Sequence, residues 1–309
     1  MGLLEAVRDK TTTEEGIQFV YADGKTKATF PASGNVEAQS ATSEFEVLRG
    51  DLAKIFMDAT KDMDGITYVF DEMISSITQT ADSKVEVTFT NRLPTAQYNI
   101  VVGADGMMSR TRRLVFGRGP NDDEYIHRLG QYAVLFTMPR TEQDTNFAQW
   151  YNAPRGRLLL LRPDSYGNTR AYVAVTDGDL SRFDSVDKAM RKGDRKEQEA
   201  WFEKEFKGAG FESDRCVREM KRAEDFYLQQ IAQVQMEKWS QGNVVLLGDA
   251  AYCPSPISGV VSFSNRVLDE MLTIYRALDL QSLAHTCSLV RLAGARTTYH
   301  MHSSSMKRC

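Results

Sequence analysis

The chain has 309 residues, 42% hydrophobic, 26% charged and 10% aromatic, which is apolar material for one large core or two smaller ones. Lys plus Arg (38) nearly balance Asp plus Glu (42), so the net charge of -4 provides no basic field for nucleic acid or anionic lipid, and no nucleic-acid partner is expected. No run approaches ~18 consecutive apolar residues and the opening MGLLEAVRDK lacks a secretory pattern, so the expectation is a cytoplasmic protein without evident membrane association.

From Leu3 to about Val115, β-rich runs alternate with helical ones, the pattern of an α/β domain. Leu52, Ile55, Phe56 and Ala59 recur at i, i+3, i+4, i+7, which predicts an amphipathic helix over 51–61 with its stripe inward. ITYVF (66–70), the run 73–80 and KVEVTFT (84–90) read as strands of a meander. Beyond Pro94, YNIVV (98–102) reads as one strand buried on both faces. Between about Gly117 and Ser240, strands are predicted over 132–138, 158–162 and 170–176, followed by a solvated helix over 196–206 with one aromatic edge. Val244 to Leu247 form a short apolar strand that must return to the sheet of the first segment. A helix follows, with Val267, Leu268, Met271, Tyr275 and Leu278 on one side, and residues 281–309 read as a weakly structured tail. The expected division is 1–116 and 241–280 as two parts of one domain, with 117–240 inserted as a sheet-rich second domain.

Two stretches carry chemistry. In IVVGADGMMSRTRR (100–113) an apolar strand runs into Asp105-Gly106 at the carboxyl edge of a sheet, where α/β proteins bind ligands. Ser109 and Arg112 fall at the start of the next helix, where amides and a cation favour a phosphate. The same residues also make a strand, an Asp-Gly turn and a capped helix that binds nothing. In VVLLGDAAYCPSPISGVV (244–261) a second strand ends at Gly248-Asp249, followed by the small Ala250 and Ala251, then Pro254, Pro256 and Gly259. Small side chains let a ligand approach the backbone, and Asp249 is suited to accept hydrogen bonds from sugar hydroxyls.

Taken together, GADGMMSRTR and GNVVLLGDAAYCPSPISG resemble the FAD-dependent monooxygenases of the class A aromatic hydroxylase type, in particular fungal secondary-metabolism members. The likeness continues upstream in EFEVLRGDLAKIF, where Arg49 and Leu52 match an Arg-x-x-Leu helix start, and through the middle segment. It implies a Rossmann-like FAD-binding domain with an inserted sheet-rich substrate domain, FAD as cofactor, NADPH or NADH as reductant, and hydroxylation or epoxidation of a small natural product in secondary-metabolite biosynthesis. It further implies cofactor contacts from Arg49, Asp105, Gly106, Asp249, Ala250, Pro256, Gly259 and Ser262, with the oxygen chemistry residing in the flavin and no catalytic base named. Substrate contacts are expected from the middle sheet, with Trp150, Tyr151, Arg162 and Tyr172 as candidates that read equally well as core or edge residues. The family's GxGxxG loop does not occur in this sequence, and Val261 stands where the family has a second glycine. The expectation is therefore an FAD domain shortened at both ends, and the alternative function is a non-catalytic homologue acting as a binding protein.

Other constellations are weaker. His300-x-His302 lacks further ligands at fixed spacing, so no metal is expected. Cys216, Cys253, Cys287 and Cys309 show no CxxC pairing, which fits reduced thiols, and Cys253 reads as a small buried hydrophobe. No GxSxG elbow and no P-loop are present.

Overall fold

The computed structural model describes residues 3–12, 14–32, 46–117 and 124–255. In chain order, α1 (Leu3–Arg8), β1 (Gly16–Val20), β2 (Thr26–Pro31) and α2 (Arg49–Thr60) are followed by β3 (Ile74–Gln79), β4 (Val85–Phe89), β5 (Ala96–Tyr98), β6 (Val101–Gly103) and α3 (Arg110–Phe116). Four strands come next: β7 (Ile126–Pro139), β8 (Ala148–Ala153), β9 (Arg157–Pro163) and β10 (Asn168–Thr176). Helices α4 (Asp184–Lys192), α5 (Arg195–Phe206) and α6 (Ser213–Met220) lead to β11 (Tyr227–Val234), β12 (Ser240–Gln241) and β13 (Val244–Leu246).

Alternation along the strands builds the largest core. A seven-stranded sheet in the order β11-β7-β10-β9-β8-β1-β2 turns Leu159, Leu161, Ala171, Val173 and Val175 to one face. Phe183, Val186, Trp201, Phe202, Phe206, Cys216 and Met220, from α4 to α6 and the turn before them, cover that face. Burying each large apolar side chain stabilises by roughly 1.5–3 kcal/mol, which explains why α5, despite its charge, holds its place through Trp201, Phe202 and Phe206. The predicted aromatic edge of that helix is therefore a packed one. Within the same layer, Tyr132 donates to Asp187, Gln230 donates to both, and Arg128 forms an ion pair with Asp187 at 2.9 Å, while its Nε has no hydrogen-bond partner among the described residues.

Two smaller three-stranded sheets stand apart, β12-β13-β6 and β3-β4-β5. Several expectations change here. YNIVV is not one strand: Tyr98 pairs with Val85 in one sheet and Val101 with Val244 in the other, so the chain changes sheets at Asn99 and Ile100. Asn243 secures the crossing, its side-chain amide donating to Asn99 O at 2.8 Å and Ser83 O at 2.7 Å. ITYVF forms no strand; Tyr68 and Phe70 stack at 6.0 Å with Phe70 57% exposed, because β-branching supplies propensity but not a neighbouring ladder. Helix α2 forms close to the predicted bounds, yet Leu52, Ile55, Phe56 and Ala59 are only half-buried. The hairpin β1-β2 also departs from expectation. It joins the large sheet through parallel pairing of Ile17 with Ala148 and Phe19 with Trp150, rather than a sheet of the first segment. The helix expected around Val267 to Leu278 and the tail 281–309 lie outside the described residues.

Candidate functional site

The two chemistry-bearing stretches leave neighbouring strands at the same end. β6 and β13 run parallel, with Val102 opposite Val245 and Gly103 opposite Leu246, and Leu247 N donates to Gly103 O at 2.8 Å. That common carboxyl edge is where open α/β sheets bind ligands. Gly103 permits the junction: a Cβ there would sit 2.6 Å from Thr111 Cγ2 and 2.9 Å from Leu246 Cδ2, so α3 packs on the strand only because no side chain intervenes.

The carboxylate of Asp105 is committed to α3. Ser109 Oγ donates to Oδ1 at 2.5 Å, while Thr111 N at 2.9 Å and Thr111 Oγ1 at 3.1 Å donate to Oδ2. Ser109 in turn caps the helix, its Oγ accepting from Arg112 N at 2.9 Å. Of the two readings open for this motif, the capped turn describes Asp105 itself. Gly106 follows in the left-handed region, φ +81°, with open space where a Cβ would be.

Arg112 is not the exposed phosphate ligand that its place at the helix start suggested. It is fully buried, and its guanidinium donates to Ala250 O at 2.9 Å and Met107 O at 2.7 Å, tying the first junction to the second. Sequence marks it only as a charge on a short helix; the role comes from the parallel pairing of β6 with β13.

Asp249 is placed differently from Asp105. Gly248 precedes it at φ +62° with nothing within 4 Å of a would-be Cβ, and Ala250 behind it is fully buried. The half-buried Asp249 carboxylate meets the Cys253 thiol, and among the described residues no N–H donor or cation bonds it. Burial, then the Asp249 charge, pushes that thiol up to about 11, while Arg49 acts in the opposite direction. Arg49, the first residue of α2, is exposed and engages no protein acceptor among the described residues. Pro256, Gly259 and Ser262 lie outside the described residues, as do Val260 and Val261.

The second face of the large sheet adjoins this region. Register aligns Tyr227, Leu135, Tyr172, Leu160, Trp150 and Phe19 across six strands, a row that alternates with the helix-covered one. The start of α2 is attached to this face by Arg162 to Glu46 at 2.7 Å and by Tyr166 to Asp51 at 2.6 Å. The second junction meets β11 through the Gln233 side chain, which donates to Pro254 O at 2.7 Å. Of the four expected substrate contacts, Trp150 and Tyr172 lie in the row. Tyr151 does not: it turns to the helices, where its hydroxyl donates to Ala209 O at 2.8 Å. Arg162 is on the second face but is held between Glu14 and Glu46. Phe19 and Leu135 were not singled out in sequence; their signal was alternation in register with Trp150 and Tyr172, visible only once the strands are paired.

Among the described residues, no group of three His, Cys, Asp or Glu side chains is placed to hold a metal, and no helix is long and apolar enough to cross a membrane.

A family profile described as FAD binding domain matches residues 1–261. The flavin-dependent monooxygenase eupH of Phoma sp is 37% identical over 272 residues, covering 84% of this chain and 61% of the relative. The FAD-dependent monooxygenase asL4 of Sarocladium schorii is 33% identical over 264 residues, covering 84% and 59%. The chain thus spans about three fifths of the length of these curated relatives. Among solved structures, tetracycline destructase Tet(51) superposes with a TM-score of 0.69 at 28% identity, covering 91% of this chain and 67% of that one. HpxO of Klebsiella pneumoniae, complexed with FAD and uric acid, shares the fold at 16% identity and a TM-score of 0.53, covering 92% and 76%.

Proposed function

Because the chain belongs to the FAD binding domain family, we propose that its two junctions hold FAD and that the protein acts as an FAD-dependent monooxygenase. It hydroxylates or epoxidises a small natural product in secondary-metabolite biosynthesis, with NADPH or NADH as reductant. Monooxygenase relatives at 37% and 33% identity support the reaction class.

The observation that carries the cofactor assignment is the contrast between the two junction carboxylates. Asp105 spends its oxygens on its own helix, whereas among the described residues Asp249 meets only a thiol, a weak donor, and so keeps its acceptor capacity for the hydroxyls of a ribityl chain. Open space over Gly248 and Gly106 fits close approach of a ligand to the backbone. The charge of Arg49 is felt at the Cys253 thiol beside Asp249, and Arg112 fixes the Ala250 carbonyl so that the loop carrying Asp249 keeps its shape. When bound and reduced, the flavin supplies oxygen activation. The chain's own part is to hold the cofactor at Asp249, to orient the substrate on the second sheet face and to keep water away. Residues 1–116, apart from the hairpin β1-β2, and 241–280 are assigned to the cofactor part, and 117–240 with that hairpin to the substrate part.

The test is a flavin-fluorescence titration of the wild-type protein, Asp249→Ala and the surface control Asp58→Ala. Loss of one charge-assisted hydrogen bond, ~1.5–3 kcal/mol, predicts affinity about ten- to a hundredfold weaker for Asp249→Ala only. Equal affinity in both variants, or no flavin uptake by the wild type, overturns the reading.

A further inference from the structure

Arg49 stands between two anchors. Before it, the Glu46 carboxylate pairs with Arg162 at 2.7 Å, and after it the Asp51 carboxylate accepts from the Tyr166 hydroxyl at 2.6 Å. Both anchors come from the β9-β10 hairpin, so the chain entering α2 is held to the large sheet on either side of the exposed arginine. The helix supplies little of this hold itself: Leu48 at its N-cap makes no side-chain hydrogen bond, and no residue of α2 is fully buried.

The hairpin tip is built to aim the phenol. Asp164, which is buried, accepts from Tyr166 N at 2.9 Å and Asn168 N at 2.8 Å and pairs with Arg170 at 2.8 Å. Gly167 closes the turn in the left-handed region, φ +80°. Lys10 lies 5.6 Å from the centroid of the Tyr166 ring. Because Tyr166 is 53% exposed, its place is set by these contacts rather than by burial. Its hydrogen bond to Asp51 raises the phenol above the ordinary value, so the group remains a donor at neutral pH.

An exposed arginine on a loosely held helix start would have to be ordered when a ligand binds, and that ordering costs affinity. We propose that Tyr166 is a positioning residue for the cofactor: by holding Asp51 it fixes the first turn of α2, so that Arg49 meets an acceptor group of FAD from a segment already in place. This assignment rests on the cofactor reading. It makes a hairpin of the substrate part a contributor to cofactor affinity without touching the cofactor.

Flavin-fluorescence titrations of the wild type, Tyr166→Phe, Arg49→Ala and the double variant, each at low and high salt, decide the matter. Tyr166→Phe removes only the hydroxyl and is expected to weaken FAD binding about three- to tenfold, against about ten- to a hundredfold for Arg49→Ala. In the Arg49→Ala background the tyrosine change should cost less than about twofold, because the group being positioned is gone. Arg49 is an ionic contact, so wild-type affinity should fall as salt rises and fall less steeply in both single variants. A residue that only stabilised the fold would weaken binding by one factor at every salt concentration and in both backgrounds. Without ligand, amide hydrogen exchange over 49–56 should be faster in Tyr166→Phe than in the wild type. Independent losses, an unaltered salt dependence or unchanged exchange, with wild-type FAD uptake intact, overturns this assignment alone. No flavin uptake by the wild type refutes the cofactor reading and this assignment with it.

Discussion

The guanidinium of Arg112 lies 2.9 Å from the carbonyl oxygen of Ala250, a residue 138 positions away in sequence, and the same side chain reaches Met107 O at 2.7 Å. One buried cation thereby fastens two loops that leave adjacent parallel strands.

Removing that cation leaves both carbonyls without this donor in a dry site, at roughly 1–3 kcal/mol for each unsatisfied group. Arg112→Leu is therefore expected to lower the unfolding free energy by roughly 2–5 kcal/mol in urea denaturation. A loss below about 0.5 kcal/mol, the range of an ordinary surface substitution, would show that the clasp is dispensable.

Gly103 supports a test of close packing. Gly103→Ala places a methyl group against Thr111 Cγ2 at 2.6 Å, and overpacking of this kind costs about 1–3 kcal/mol. Thr111→Ser removes the crowding methyl but keeps the hydroxyl that bonds Asp105. The double variant should recover part of the loss, giving a coupling energy of ~0.5 kcal/mol or more in a double-mutant cycle. Strict additivity would place the clash elsewhere.

A pH test isolates Glu72. Despite some desolvation, its carboxylate is lowered to about 2 by backbone N–H donors from Met73, Asn91, Arg92 and Leu93, at 2.8–3.0 Å. The folded value lies below the ordinary 4.5, so the group's stabilising contribution is complete above 4.5 and lost as pH falls from there towards about 2. The stability difference between wild type and Glu72→Gln should be constant above pH ~5 and shrink below it. A difference that does not vary down to pH ~2 contradicts the assignment.

Local periodicity made much of the secondary structure legible. Alternation in the runs that became β4 and β10, the apolar run of β9, and the strand-to-Gly-Asp junction at Val244 needed only neighbouring residues to be read. The hairpin β1-β2 also carried a local signal, Asp23-Gly24 between two apolar-polar runs, closed by Tyr21 N donating to Lys25 O at 2.9 Å. What escaped was everything decided by pairing. Which sheet the hairpin joins depends on Ala148 and Trp150, and the split in YNIVV depends on Val244. The candidate site divides in the same way: Asp249 and the Asp105 junction announce themselves as motifs, whereas the burial of Arg112, the turning of Tyr151 to the helices and the alignment of Phe19 with Trp150 follow from strand register.

The parallel pairing of β1 with β8 also sets a schedule for biogenesis. Phe19 and its partner Trp150 are separated by about 130 residues, so at ~5–20 residues per second the hairpin leaves the ribosome roughly 6–26 s before its neighbour does. During that interval the β1 edge presents unpaired amides and the aromatic pair Phe19 and Phe30, whose centroids lie 5.8 Å apart in the finished fold. Nascent chains halted before Trp150 are thus the species most dependent on chaperones. Slower elongation across 30–150 lengthens that exposure and should lower the soluble yield without altering any contact of the native state.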